Sequence, residues 1–204
     1  IGFWRSVGHS HNAFFSESFI DELAFESKQD PLAFRMALLK NAPRYTAVLK
    51  LATEKAKWGS ALPAGHAHGV ALHESFGSIV AQVAEVSMQG GMPRVHRVVC
   101  AIDCGTVVNP GTVAQQVESS VIFALTAALY GQIDIQEGVV QQNNFTNYPL
   151  VSMAQSPVVE TWIVPSNSAP EGVGEPAVPP LAPAVANAMY KLTGKRLRSL
   201  PLVA

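Results

Sequence analysis

Apolar side chains recur at helical intervals through residues 13–58. Phe15, Phe19, Ile20, Leu23 and Ala24 form the first stripe, with Asn12 as its expected cap. Asp30-Pro31 opens a second helix: an acceptor side chain caps it, and the proline's missing N–H would be unpaired there anyway. Pro43 separates a third helix, whose stripe of Val48, Leu49, Ala52 and Ala56 ends at Trp58-Gly59. After the turn Pro63-Ala64-Gly65 the period changes to two. Segments 69–74, 79–88 and 95–103 read as strands. In the second, Val80, Gln82, Ala84 and Val86 face one way, and Ile79, Ala81, Val83 and Glu85 the other.

Gln89-Gly90-Gly91-Met92-Pro93 predicts an antiparallel hairpin. A loop over 104–110 leads through Asn109-Pro110 into a helix ending near Tyr130. Segments 132–135 and 139–143 flank Glu137-Gly138 as a second hairpin, and 158–164 is a further strand. Residues 166–180 carry prolines and glycines in loop spacing before a helix over 182–192, with Val185, Ala186, Met189 and Tyr190 inward and Gly194 closing it. Helices, then strands, then helices predict an α+β fold class: a helical part over 1–62 and an α+β part over 63–204.

Charge changes this picture. Only 14% of the 204 residues are charged, against about 25% in ordinary domains. The expectation is that part of this surface is covered by something else. The net charge of −1 builds no field for nucleic acid. No apolar run reaches the ~20 residues of a membrane span, because Glu118, Ser119 and Ser120 interrupt 117–129. No signal-peptide pattern opens the chain, and Ile1 stands where an initiator Met would, so the chain is expected to begin inside a longer gene product. Cys100 and Cys104 would lie ~13 Å apart on one strand, too far for a disulfide, and read as free thiols.

The densest candidate chemistry lies in Glu171-Gly172-Val173-Gly174-Glu175-Pro176. Glycines on both sides of Val173 let backbone approach a ligand. Glu175 among Val173, Ala177, Val178 and Leu181 would have its charge disfavoured, as a general base requires. The plain alternative is a solvated loop carboxylate. Arg5, before a helix start, suits an anion or a pterin, or is a surface arginine near a terminus. Gln116 and Glu118 fall in the first turns of the 110–130 helix among apolar neighbours, where the amide would face a ligand or a backbone carbonyl. His9-x-His11 and His66-x-His68 look like metal pairs but have no further ligand at metal spacing, so no metal ligand set is assigned. His73-Glu74 could be an acid/base pair, the basis of a hydrolase reading, although no nucleophile elbow accompanies it.

Together these residues resemble a family. Trp4-Arg5-Ser6-Val7-Gly8-His9-Ser10, Gly69-Val70-Ala71-Leu72-His73-Glu74-Ser75-Phe76-Gly77, Asp103-Cys104-Gly105, Gly172-Val173-Gly174-Glu175-Pro176 and Thr193-Gly194-Lys195-Arg196 are similar to the C-terminal part of the molybdopterin-binding large subunit of xanthine oxidase family molybdenum hydroxylases. The branch resembled is the isoquinoline 1-oxidoreductase beta-subunit and bacterial aldehyde dehydrogenase type. The resemblance implies an oxidoreductase that hydroxylates an aldehyde or N-heteroaromatic carbon with water-derived oxygen. It makes Glu175 the catalytic base, and Arg5, Ser6, Gln116 and Gly174 cofactor-contacting residues. It implies a molybdenum-molybdopterin cytosine dinucleotide cofactor. It also implies partners: the remaining part of the molybdopterin subunit, a small subunit with [2Fe-2S] clusters, and a cytochrome or other electron acceptor. Two cysteines cannot hold even one such cluster. A periplasmic location is expected from the branch, with a cytoplasmic one as the alternative.

This chain departs from the pattern at Ser119, Ser120 and Ala124, where the family has glycines, at Val7, and in lacking the Gly-Gln-Gly cofactor motif. The rival function is therefore an assembly module that completes a partner's fold without catalysis.

Overall fold

A computed structural model describes residues 2–202. Three helices come first: α1 (His9–Glu26), α2 (Pro31–Leu38) and α3 (Pro43–Lys55). Strands β1 (His66–Ser75), β2 (Ser78–Gln89) and β3 (Met92–Asp103) follow as an antiparallel meander. Helix α4 (Pro110–Leu129), a minor hairpin of β4 (Ile135–Gln136) and β5 (Val139–Val140), strand β6 (Val158–Ile163) and helix α5 (Leu181–Thr193) complete the order. Strand β6 lies parallel to β3, so the four-stranded sheet, ordered β1-β2-β3-β6, is mixed. The α+β architecture, with helices packed on a sheet, is as the sequence predicts.

Both faces of the sheet are covered, which explains why β2 is apolar on both sides. Ile79, Ala81 and Val83 face α3, where Val48, Leu49, Ala52 and Ala56 complete one core. Ala84 and Val86 face α4 and α5, and pack with Val121, Leu125, Val185 and Met189. Val80, Cys100 and Ile102 meet Val113, Val117 and Ala177 under the 166–180 loop. At Gly69 a Cβ would lie 2.1 Å from the Ala184 carbonyl oxygen, so β1 and α5 touch backbone to backbone.

The punctuation works as residue chemistry dictates. Asp30 accepts from the Leu32 and Ala33 amides, Asn109 from the Thr112 amide, and Gly194 ends α5 at φ +71°. Two expectations are corrected. Asn12 does not cap α1, because the helix starts a turn earlier, at His9, behind a compact turn at residues 4–9. The second hairpin is shorter than 132–143, since only two residues pair on each side of Glu137-Gly138. Cys100 and Cys104 are free and buried, and burial pushes the Cys100 thiol up to about 12. Among the described residues no helix is long and apolar enough to cross a membrane.

Candidate functional site

The segment before α1 folds back over the loop that follows β6. The Val7 amide donates to the Trp4 carbonyl at 2.8 Å, and the His9 amide donates to the Ser6 carbonyl at 2.9 Å. These two tight turns place Ser6 at φ +74° and Val7 at φ +50°. A β-branched residue in that region is strained, a feature that clusters at functional sites. The strained turn presents its amide to the loop: Ser6 N–H donates to Glu175 Oε1 at 2.8 Å. The Ser6 hydroxyl donates to the Glu175 carbonyl at 2.7 Å.

Arg5 reaches across the same gap. Its Nε donates to the Gly174 carbonyl at 2.8 Å, and its two terminal nitrogens donate to Ser119 Oγ at 3.1 Å, Ser120 Oγ at 2.9 Å and Gln116 Oε1 at 3.4 Å. Burial pulls the guanidinium's pKa below its ordinary value, and the charge of Glu175 opposes that. The structure thus brings Arg5, Ser6, Gln116, Gly174 and Glu175 into one constellation spanning nearly the whole chain. Arg5 serves as a tie between the loop and α4, where its sequence context suggested a side chain open toward an anion. Ser119 and Ser120, which in sequence are only departures from glycine, supply hydroxyls that hold it. Glu118 is exposed, and it borders a groove of about 620 Å³ that Trp4, Phe123 and Tyr148 also line.

The β1–β2 turn supports the loop from the other side. Phe76 and Gly77, at φ +54° and +78°, make a two-residue hairpin turn. Gly172 N–H donates to the Phe76 carbonyl at 3.1 Å, and Ser78 Oγ donates to the Gly172 carbonyl at 2.6 Å. A Cβ at Gly172 would press on Phe76 Cβ at 3.0 Å, which is why glycine stands there. Beneath the loop, fully buried Gln82 donates from Nε2 to the Ala177 carbonyl at 2.7 Å.

The histidine pairs of the sequence do not form. His9 Nδ1 lies 3.0 Å from His73 Nε2. His66 Nδ1 lies 2.7 Å from Glu85 Oε1, and its ring stacks on His96. His73 and Glu74 cannot act together, because strand alternation sends them to opposite faces, and Glu74 accepts from the Tyr45 hydroxyl. Among the described residues no three His, Cys, Asp or Glu side chains could hold a metal.

Burial, then the charge of His9, lowers the His73 pKa to about 4. A histidine held neutral in the fold takes its proton only when the chain opens. Stability is therefore intact above about pH 6.5 and falls as the pH drops toward 4, by at most about 3 kcal/mol before solvent screening reduces it. Denaturation midpoints across that window should decline for the native chain, and more shallowly for His73→Gln.

The site suits a group rich in acceptors. Gln116 Oε1 is fixed by Arg5, leaving Nε2 as a donor with no partner among the described residues. Among those residues the Gly174 and Glu175 amides also donate to nothing. A Cβ on Gly174 would meet only Gln116 Oε1, at 3.9 Å, so this face of the loop is open.

Residues 36–157, more than half of the chain, match the family of the molybdopterin cofactor-binding domain, and the chain belongs to that family. Over 99% of its length it is 34% identical to the beta chain of isoquinoline 1-oxidoreductase from Brevundimonas diminuta. It is 33% identical over 98% of its length to the B component of nicotinate dehydrogenase from Pseudomonas putida. It spans only 26% and 18% of those relatives. The aldehyde oxidoreductase of Desulfovibrio gigas shares the fold at 13% identity, with a TM-score of 0.70 over 97% of this chain and 40% of that one. Arg5, Ser6, Gly174 and Glu175 lie outside the segment that defines the family match, and Gln116 lies inside it.

Proposed function

We propose that this chain is one wall of a molybdenum hydroxylase active site, with Glu175 as its general base. The observation that carries this reading is the asymmetric fixing of the Glu175 carboxylate. Oε1 is anchored by the Ser6 amide, while Oε2 has no donor among the described residues and is left to take a proton. Arg5 holds the Gly174 carbonyl, so the loop presents the carboxylate at a set position. Gln116 Nε2 and the Gly174 and Glu175 amides would donate to the bound molybdopterin, in its cytosine dinucleotide form. That cofactor supplies the two-electron oxidant.

The net change is an aldehyde or N-heteroaromatic C–H converted with water to C–OH, releasing two electrons and two protons. Glu175 Oε2 receives one proton from the water-derived oxygen. The electrons pass to [2Fe-2S] clusters in a partner subunit, since Cys100 and Cys104 are buried in this chain and too few for a cluster. A partner is supported by α1, which buries Phe14 and Ala24 on one side and exposes Phe15, Phe19 and Leu23 on the other. A helix apolar on both sides is built to be covered. A periplasmic site, with a cytochrome as acceptor, belongs to the same proposal.

Turnover of benzaldehyde and of isoquinoline by the molybdenum-replete assembly in ¹⁸O-labelled water tests it. One label per product molecule is expected from at least one of the two substrates. Unlabelled product, or labelled product formed without molybdenum, sinks the proposal.

A further inference from the structure

We propose that His73 is a positioning residue for Glu175, acting through His9; this rests on Glu175 being the base. The amide that anchors Glu175 Oε1 comes from a turn in which two consecutive non-glycine residues sit in the left-handed region. Neither Ser6 nor Val7 holds that conformation on its own account, so something else must hold it. The His9 amide closes the turn onto the Ser6 carbonyl, and the His9 imidazole is tied to His73 Nε2 at 3.0 Å. The same His9 ring packs edge-on against Phe76, with centroids 5.3 Å apart.

His73 and Phe76 belong to one hairpin. Phe76 accepts from the Gly172 amide and Ser78 donates to the Gly172 carbonyl. The β1–β2 hairpin therefore grips both halves of the base's mounting. It holds the 171–175 loop through Gly172 and the anchoring turn through His9. Burial disfavours the charged form of His73, so its ring nitrogen at the His9 contact is available as a hydrogen-bond partner without a proton from solvent. Without that bond, the turn relaxes toward ordinary backbone, the Ser6 amide leaves Oε1, and the carboxylate loses its fixed direction.

The test compares His73→Phe with His73→Gln in the full-length, molybdenum-replete enzyme. Phe keeps the ring's bulk and removes the bond. Gln carries an amide nitrogen near the position of Nε2 and can restore it. The expectation is a kcat about tenfold lower in His73→Phe with KM nearly unchanged, matching one net hydrogen bond, and recovery to within about threefold in His73→Gln. Hydrogen exchange at the Ser6 amide, read in a peptide over residues 3–8, should be about tenfold faster in His73→Phe and near native in His73→Gln. Native kcat in His73→Phe overturns the proposal, as does equal impairment of both variants. Exchange is read whatever the metal content, and an unchanged Ser6 amide in His73→Phe overturns it also. If Glu175→Gln turns over normally while exchange at Ser6 still responds to His73, the failure lies with the base assignment and not with the latch.

Discussion

Glu175→Gln is expected to lower kcat of the assembled enzyme by about a thousandfold, within the range for loss of a general base, with molybdenum retained. The substitution isolates proton transfer from geometry. The Ser6 amide can still donate to the side-chain oxygen of glutamine, and the Glu175 backbone carbonyl still accepts from the Ser6 hydroxyl. Arg5 continues to hold Gly174. What disappears is the second oxygen's ability to take a proton. Steady-state turnover and metal analysis on the same preparation check this. Turnover within about threefold of native with molybdenum bound would remove Glu175 as base and favour the chain as an assembly module.

Arg35→Ala is expected to destabilise the fold by about 3–5 kcal/mol, the cost of breaking a buried ion network. Arg35 is 2% exposed. Its Nε donates to Glu17 Oε2 at 2.9 Å, and its other nitrogens donate to the Glu17 and Pro31 carbonyls. Glu17 Oε2 also accepts from the Leu72 amide of β1, and Asp21 nearby pairs with Arg196 at 2.6 Å. One guanidinium thus joins α1, α2 and the edge of the sheet. Its removal leaves the Glu17 carboxylate buried with one amide. Chemical denaturation measures the loss. The exposed Arg198–Glu22 pair is the control, and Arg198→Ala should leave the midpoint where it is. A shift below about 1 kcal/mol for Arg35→Ala would mean that water replaces the guanidinium.

Local chemistry was legible where it is carried by neighbours in sequence. Asp30-Pro31, Asn109-Pro110 and Gly194 each mark a helix end by a side-chain cap or a left-handed residue, and each does so in the fold. The two-faced burial of β2 followed from its alternation. The parallel pairing of β6 with β3 joins segments about sixty residues apart, and no local pattern encodes that choice. The site was legible as motifs and not as contacts. Glu175 and Arg5 stood out by composition and resemblance, but what unites them is a pair of strained turns at Ser6 and Val7, residues with no intrinsic preference for positive φ. The hydroxyls of Ser119 and Ser120 look like lost glycines until the donors of Arg5 are placed against them. His73-Glu74 misled because adjacency in a strand means opposite faces.

Molybdenum stoichiometry of the native assembly, counted together with its polypeptides by native mass spectrometry, tests the central claim most directly. The account predicts one molybdenum and one pterin per copy of this chain, in company with an iron-containing partner. A stable assembly that turns over an aldehyde or N-heterocycle while holding neither molybdenum nor pterin would contradict it.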